Sequence, residues 1–185
     1  TSDGQVTVLP GSGGNTILNV PNIGYMTVNV LPASVSSGTT ISIGTASASS
    51  DSLPDGYLAL GDNVYEVSAI SGSSQITEFS NPVSIVIGYN PSLIPAGIDK
   101  SEIKLYQFDS NSSSWVIVED YVSDNVNNKI SFDTKEIATK YFLAYPDRMG
   151  QGVVPGVDSE TETEDYIIDK DPISYSYEYL SQSAY

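Results

Sequence analysis

The sequence contains no cysteine and no histidine. Without cysteine there are no disulfides and no thiolate metal sites. Without histidine the commonest general base and the commonest transition-metal ligand are both missing. Together the two absences exclude Ser-His and Cys-His nucleophile systems, so any acid-base chemistry would fall to carboxylates, Lys or Tyr. Positive charge is scarce as well: 7 Lys and Arg stand against 23 Asp and Glu, a formal charge of -16. That balance repels phosphate backbones and anionic lipid surfaces, which argues against nucleic-acid binding. No apolar run approaches the about 20 residues of a membrane-spanning helix. The chain begins at Thr1 rather than Met, as expected after removal of a signal peptide or trimming from a longer chain, and a secreted, extracellular or cell-surface location is the expectation.

What the sequence does have is strand signal. Short alternating or β-branched runs recur between clusters of Gly, Pro, Asn, Asp and Ser, the pattern of a β-sandwich or barrel. The runs predict strands at Gln5 to Leu9, Thr16 to Val20, Met26 to Val30, Thr39 to Thr45, Asn63 to Ala69, Val83 to Gly88, Ile103 to Asp109, Trp115 to Glu119, Lys129 to Phe132 and Tyr141 to Tyr145. In NPVSIVIGY, Val83, Ile85 and Ile87 line one face and Ser84, Val86 and Gly88 the other, as in a central strand. Asp109 to Ser114 joins two aromatic-bearing strands and reads as a hairpin loop. Trp115 is expected to anchor the core. Only DTKEIAT, residues 133–139, offers a helical turn, behind an Asp cap. The expected fold is all-β, an antiparallel β-sandwich of Greek-key, immunoglobulin-like type. Residues 1–14 are read as an N-terminal strand and Gly/Ser tether, 15–146 as the sandwich, and 147–185 as an acidic, Tyr-rich extension.

The phrases LPDGYLALGDNVYEVSAI, ITEFSNPVSIVIGYN, IPAGIDKSEIKLYQFD, SSWVIVEDY and TKYFLAY together carry a resemblance. Over about residues 53–146 the chain resembles a β-sandwich module found in many secreted bacterial and archaeal surface proteins. The shared pattern is a Tyr-Glu strand, a Phe-x-x-Pro-Val strand, a Pro-Ala-Gly-x-Asp turn, and Leu-Tyr and Trp-Val strands. The closing segment of such modules reads His-Phe-Ser, where this chain has Lys140, Tyr141 and Phe142. The resemblance implies a spacer or adhesive role and carries over no catalytic residue.

Several constellations are candidates for chemistry. Carboxylate pairs of the kind used in glycoside hydrolysis are available at Asp51 with Asp55, at Asp120 with Asp124, and from Glu160 to Asp165. All lie in turn-rich segments, where Asp and Asn are ordinary turn formers, and an enzyme is not expected. The oxygen-rich segments DSLPDGYLALGDN and DYVSDNVNN suit a hard cation, with Asp51, Asp55, Asp62, Asp120 and Asp124 as ligands for a structural calcium, although neither has EF-hand spacing. No other cofactor is expected. Asn111, followed by Ser112 and Ser113, fits the glycosylation sequon at a hairpin tip.

The two ends suggest the function. Gln5, Val6, Thr7, Val8 and Leu9 form a β-prone pentapeptide followed by PGSGG, a composition typical of flexible tethers. At the other end Ile173, Tyr175, Tyr177 and Tyr179 recur at every second position, so in an extended strand they would line one face. A strand with three exposed rings needs a sheet edge to pair with. If these ends pair with neighbouring copies, each subunit gives a strand to the next and a filament or ring results. The expected function is therefore a structural subunit of an extracellular or cell-surface assembly, with other copies of itself as partners. The alternative is a monomeric adhesion or carbohydrate-binding module that takes a glycan.

Overall fold

The computed structural model describes residues 4–48 and 53–148. Thirteen strands follow in order: β1 (Gln5–Val8), β2 (Gly14–Val20), β3 (Gly24–Val30), β4 (Thr39–Ser47), β5 (Tyr57–Ala59), β6 (Asn63–Ser71), β7 (Ser74–Gln75), β8 (Glu78–Tyr89), β9 (Lys104–Asp109), β10 (Ser114–Ile117), β11 (Val122–Asp124), β12 (Lys129–Glu136) and β13 (Lys140–Pro146). They make two antiparallel sheets packed face to face, an all-β sandwich. The first sheet runs β1-β4-β6-β13-β9-β10, with β5 added to β13 and β7 to β6, and the second runs β11-β12-β8-β3-β2. The chain changes sheet between β1 and β2, β3 and β4, β7 and β8, β8 and β9, β10 and β11, and β12 and β13. This interleaving sets neighbours in sequence against each other across the core.

Period-2 alternation explains the packing. From β8, Val83, Ile85 and Ile87 point inward and are fully buried. They meet Met26 and Val28 of β3, Ile41 of β4, Leu105 of β9 and Tyr141 of β13 in one continuous cluster. Each such side chain, taken fully out of water, contributes about 1.5–3 kcal/mol. On the outer side of β8, Gly88 lies under the ring of Tyr25, and a Cβ there would collide with that ring. Gly24, paired with Tyr89 where β3 begins, is held as closely: a Cβ would run into the Gly88 carbonyl oxygen.

Strand β13 is buried on both faces. Tyr141 and Leu143 enter the main core, while Phe142 and Ala144 enter a second cluster on the outer side of the first sheet, with Ala48, Ala59, Val64 and Tyr106. Trp115 belongs to this outer cluster, not to the core between the sheets as its size suggested. Its ring stands edge-on to Phe142 at 4.6 Å and to Phe108 at 5.4 Å. Register decides the side. Trp115 pairs with Phe108, two positions from Tyr106, and Tyr106 pairs with Phe142.

Two further expectations are corrected. DTKEIAT makes no helical turn; β12 continues through Glu136 with a bulge between Thr134 and Glu136. The Thr134 hydroxyl accepts from the Glu136 N–H at 3.1 Å and donates to the Glu136 carbonyl at 2.7 Å, and Ile137, next in line, is buried with its N–H on the Thr77 carbonyl at 2.8 Å. Pairing with β8 satisfies the backbone and outweighs the weak local helical preference. Residues 5–14 are not an appendage either. β1 is the end strand of the first sheet, and Val8 is part of the main core. Among the described residues helical structure is limited to single 3-10 turns such as Lys100–Glu102, where Asp99 and Glu102 form a reciprocal capping box. Among the described residues no helix is long and apolar enough to cross a membrane.

Candidate interaction surface

Between Asp3 and Asp51 the sequence has no Asp, Glu, Lys or Arg. All of β1, β2, β3 and β4 fall in this stretch. β1 and β4 end the first sheet, β3 and β2 end the second, and β2 makes contacts with both β1 and β4. These four strands therefore form one lateral side of the sandwich, and that side has no formal charge in a chain of net charge -16. Its outer hydroxyl and amide groups bond to each other, Gln5 Nε2 to Ser42 Oγ at 3.0 Å and Thr7 Oγ1 with Thr40 Oγ1 at 3.2 Å. Leu9, Ile17 and Leu31 are exposed there, at 56%, 41% and 49%. Sequence reasoning alone misses this surface. The charge-free run is visible in the sequence, but only strand order shows that its strands lie together.

The outer edge of β2, unpaired among the described residues, stands out. Folded proteins normally protect edges with charged residues, prolines, bulges or very short strands. β2 has seven residues, GNTILNV, with no charge and no proline, and it pairs with β3 in unbroken register from Gly14↔Val30 to Val20↔Gly24. The other strands at sheet ends are shorter, four residues each in β1 and β10 and three in β11.

The N-terminal pentapeptide is seated in its own molecule. Gln5, Val6, Thr7 and Val8 pair with Ser42, Ile41, Thr40 and Thr39 of β4. Val8 is fully buried, Val6 half-buried, and Leu9 exposed and bridged to Gly13. PGSGG is accordingly a closed turn and not a loose tether. The Ser12 N–H bonds the Leu9 carbonyl at 3.2 Å and the Ala33 N–H bonds the Pro10 carbonyl at 2.6 Å. Gly13 has φ +63°, and a Cβ on it would collide with the Val30 carbonyl, so both backbone and space require glycine there. Ile173, Tyr175, Tyr177 and Tyr179 lie outside the described residues.

Among the described residues the carboxylates do not assemble into a site. Asp55 and Asp62 border one open cleft of about 740 Å³ with Tyr57, Leu93 and Tyr145, and Asp62 accepts from Ser47 Oγ at 2.7 Å. Asp51 and the Glu160 to Asp165 run lie outside the described residues. Asp120 is exposed. Asp124 closes a local turn: its oxygens accept from the Asn127 N–H at 3.0 Å and Asn127 Nδ2 at 2.7 Å, and Lys129 lies 3.8 Å away. The Asn127 side-chain bond, then its backbone bond, holds the Asp124 carboxyl below its ordinary pKa. With both oxygens engaged, Asp124 has a cation already beside it in Lys129. Among the described residues no three Asp or Glu converge as a metal site. Asn111 is exposed in the hairpin between β9 and β10, as the sequon reading places it, with its N–H on Asp109 Oδ1 at 2.9 Å.

A group of polar side chains is buried where β6 meets β8. Asn63 and Tyr65 of β6 and Tyr89 of β8 line a small cavity with Ile23, Ile87 and Leu143. The Asn63 Nδ2, Tyr65 hydroxyl and Tyr89 hydroxyl are buried without a hydrogen-bonding partner among the described residues. Burial pushes the Tyr65 hydroxyl up to about 12. Burial first, and then the Asp124 charge, raises that of Tyr89.

No protein-family model matches the chain and no curated protein matches it, so a functional reading rests on the surface described above.

Proposed function

We propose that the chain is a structural subunit of an extracellular or cell-surface assembly, its copies joined by β-strand exchange into a filament. The observation that supports this most is the charge-free side formed by β1 to β4. Two copies with a net charge of -16 each repel one another, and this side is where they can approach with the least electrostatic cost. β1 is the exchangeable element in this reading. It is a four-residue edge strand paired on one side only, and every copy has both the strand and its seat on β4. Transfer of Gln5 to Leu9 between copies conserves the contacts made within one copy, with the Leu9–Gly13 turn as hinge. The Ile173, Tyr175, Tyr177 and Tyr179 alternation is the second connector. Electron microscopy of the purified chain, with gel filtration, tests the proposal. Fibres or large oligomers are expected, lost when Thr1 to Gly14 is deleted and shortened when Tyr175, Tyr177 and Tyr179 are changed to Ser. A monodisperse monomer at every concentration and salt would overturn it.

A second reading has one observation in its favour. Trp115 and Phe108 are half-buried and Ile117 is 41% exposed on the outer face of the first sheet, an apolar strip of the kind that stacks on sugar rings. Glycan-array binding by a monomer, abolished by Trp115→Ala, would select this alternative.

A further inference from the structure

We infer that β2 is a homotypic docking edge: two copies pair β2 against β2 antiparallel across a two-fold axis and fuse their second sheets into one continuous sheet. This deepens the assembly proposal and rests on it. Three observations carry it. The edge is seven residues long, carries no charge, proline or bulge, and among the described residues pairs with β3 alone. It lies in the charge-free side, so an identical, strongly acidic partner meets no formal like charge from the pairing strand. Its outward-facing residues are symmetric about its centre: Asn15, Ile17 and Asn19 read amide, Ile, amide in either direction.

An isologous antiparallel pair demands that symmetry. Centred on Ile17, the axis sets Ile17 opposite its own counterpart and Asn15 opposite the other copy's Asn19. Ile17 is exposed, and Thr16 is buried, so the apolar and amide pairs fall on the outer face while the inner face continues into each core. The new ladder gives β2 a second partner strand beside β3, where the described residues supply none. Salt strengthens such a contact, because the repulsion it must overcome comes from the rest of each chain and is screened at high ionic strength.

The absence of cysteine makes the test direct, since one introduced thiol is unique. Full-length Ile17→Cys, oxidised under mild conditions, is expected to give a covalent dimer on a non-reducing gel. Val122→Cys, on the 68% exposed β11 position at the opposite edge of the same sheet, is expected to remain monomeric. Ile17→Lys keeps a solvent-compatible side chain but sets like charges face to face, and in sedimentation experiments it is expected to weaken dimerisation about tenfold or more. Wild-type dimerisation is expected to tighten from low to high salt. Cross-linking no faster in Ile17→Cys than in Val122→Cys, or assembly unchanged in Ile17→Lys, overturns β2 pairing while leaving the structural-subunit proposal intact. A chain that never self-associates removes both.

An independent observation carries a second inference: the geometry points to one structural water clamping the two sheets. The cavity lined by Asn63, Tyr65 and Tyr89 offers about 10 Å³ to the centre of a water molecule, and each of the three has a buried polar side-chain atom without a partner among the described residues. That is close to the room one water needs, and three hydrogen bonds is the usual number for a buried water. The water accepts from Asn63 Nδ2 and from one tyrosine and donates to the other, joining β6 in one sheet to β8 in the other. In a high-resolution crystal structure a density peak is expected within about 2.7–3.2 Å of all three atoms. An empty cavity in that map overturns the assignment.

Discussion

Replacing Val8 with Ala tests whether the N-terminal strand belongs to its own sandwich. Val8 has no exposed surface, belongs to the main core cluster, and a Cγ of its side chain packs about Gly14. Truncation removes two buried carbons, about 1.6 kcal/mol of transfer free energy at about 0.8 kcal/mol per group. The space left behind adds roughly 1 kcal/mol if the neighbours do not collapse into it. The expected loss is about 2–3 kcal/mol, or a fall in Tm of about 5–10 °C for a domain of this size. The loss should appear as a lower urea midpoint with unchanged slope. Trp115 is the only tryptophan and its fluorescence reports unfolding. Thr7→Ala on the same strand is the control: its hydroxyl pair with Thr40 is exposed, and a change within about 0.5 kcal/mol is expected. If Val8→Ala is as mild as Thr7→Ala, β1 is not held in the core, and the seat on β4 is refuted.

Gly24→Ala should cost about 3 kcal/mol or more, because the new Cβ meets the Gly88 backbone oxygen and neither strand can yield. Gly56→Ala, with φ +76° but open space around it, should cost about 1 kcal/mol, so equal melting temperatures for the two would contradict the close approach of β3 and β8. Trp115→Ala, followed by circular dichroism, should lose about 2 kcal/mol, less than a fully buried Trp, because it uncovers Phe142; no loss would mean that the outer cluster adds nothing to stability. Alkaline unfolding follows from the buried tyrosines. Burial raises Tyr65 from 10.0 to about 12 and Tyr141 further still, so their contribution to stability is complete below about pH 10 and is lost as pH rises through the folded-state values. A urea midpoint that stays flat between pH 9 and about pH 12 would refute this. At the acid end, Asp99, Asp109 and Asp124 are lowered mainly by hydrogen bonds from Ser101, Ser112 and Asn127, so Asp99→Asn should destabilise at neutral pH and approach wild type as pH falls below the carboxylate range. A difference independent of pH would count against the Asp99 capping role.

Most strands are legible because burial writes their pattern: alternation in β3 and β8 is dictated by one buried face, and the continuous apolar run of β13 by two. The short β5, β7 and β11 escape because three residues or fewer carry no period. DTKEIAT misleads because its helical preference is worth a few tenths of a kcal/mol per residue, less than the ladder it joins on β8. Trp115 falls on the unexpected side because composition predicts that a large ring is buried but not against what. PGSGG reads as flexible in isolation; its turn is fixed by Ala33, nineteen residues beyond Gly14. Asp124 reads as an open cation ligand, although the Asn127 that occupies it is visible three residues away.

The sequence by itself determined that this is a β protein, strongly acidic, without thiols or imidazoles, and uncharged from residue 4 to 50. Tertiary structure alone decided what that uncharged stretch means. Charge is a property of each residue, but a surface is made by strand order, and order depends on which sheet each crossover enters. Because the chain changes sheet between β1 and β2 and returns between β3 and β4, four uncharged strands that a different topology would scatter are stacked along one side.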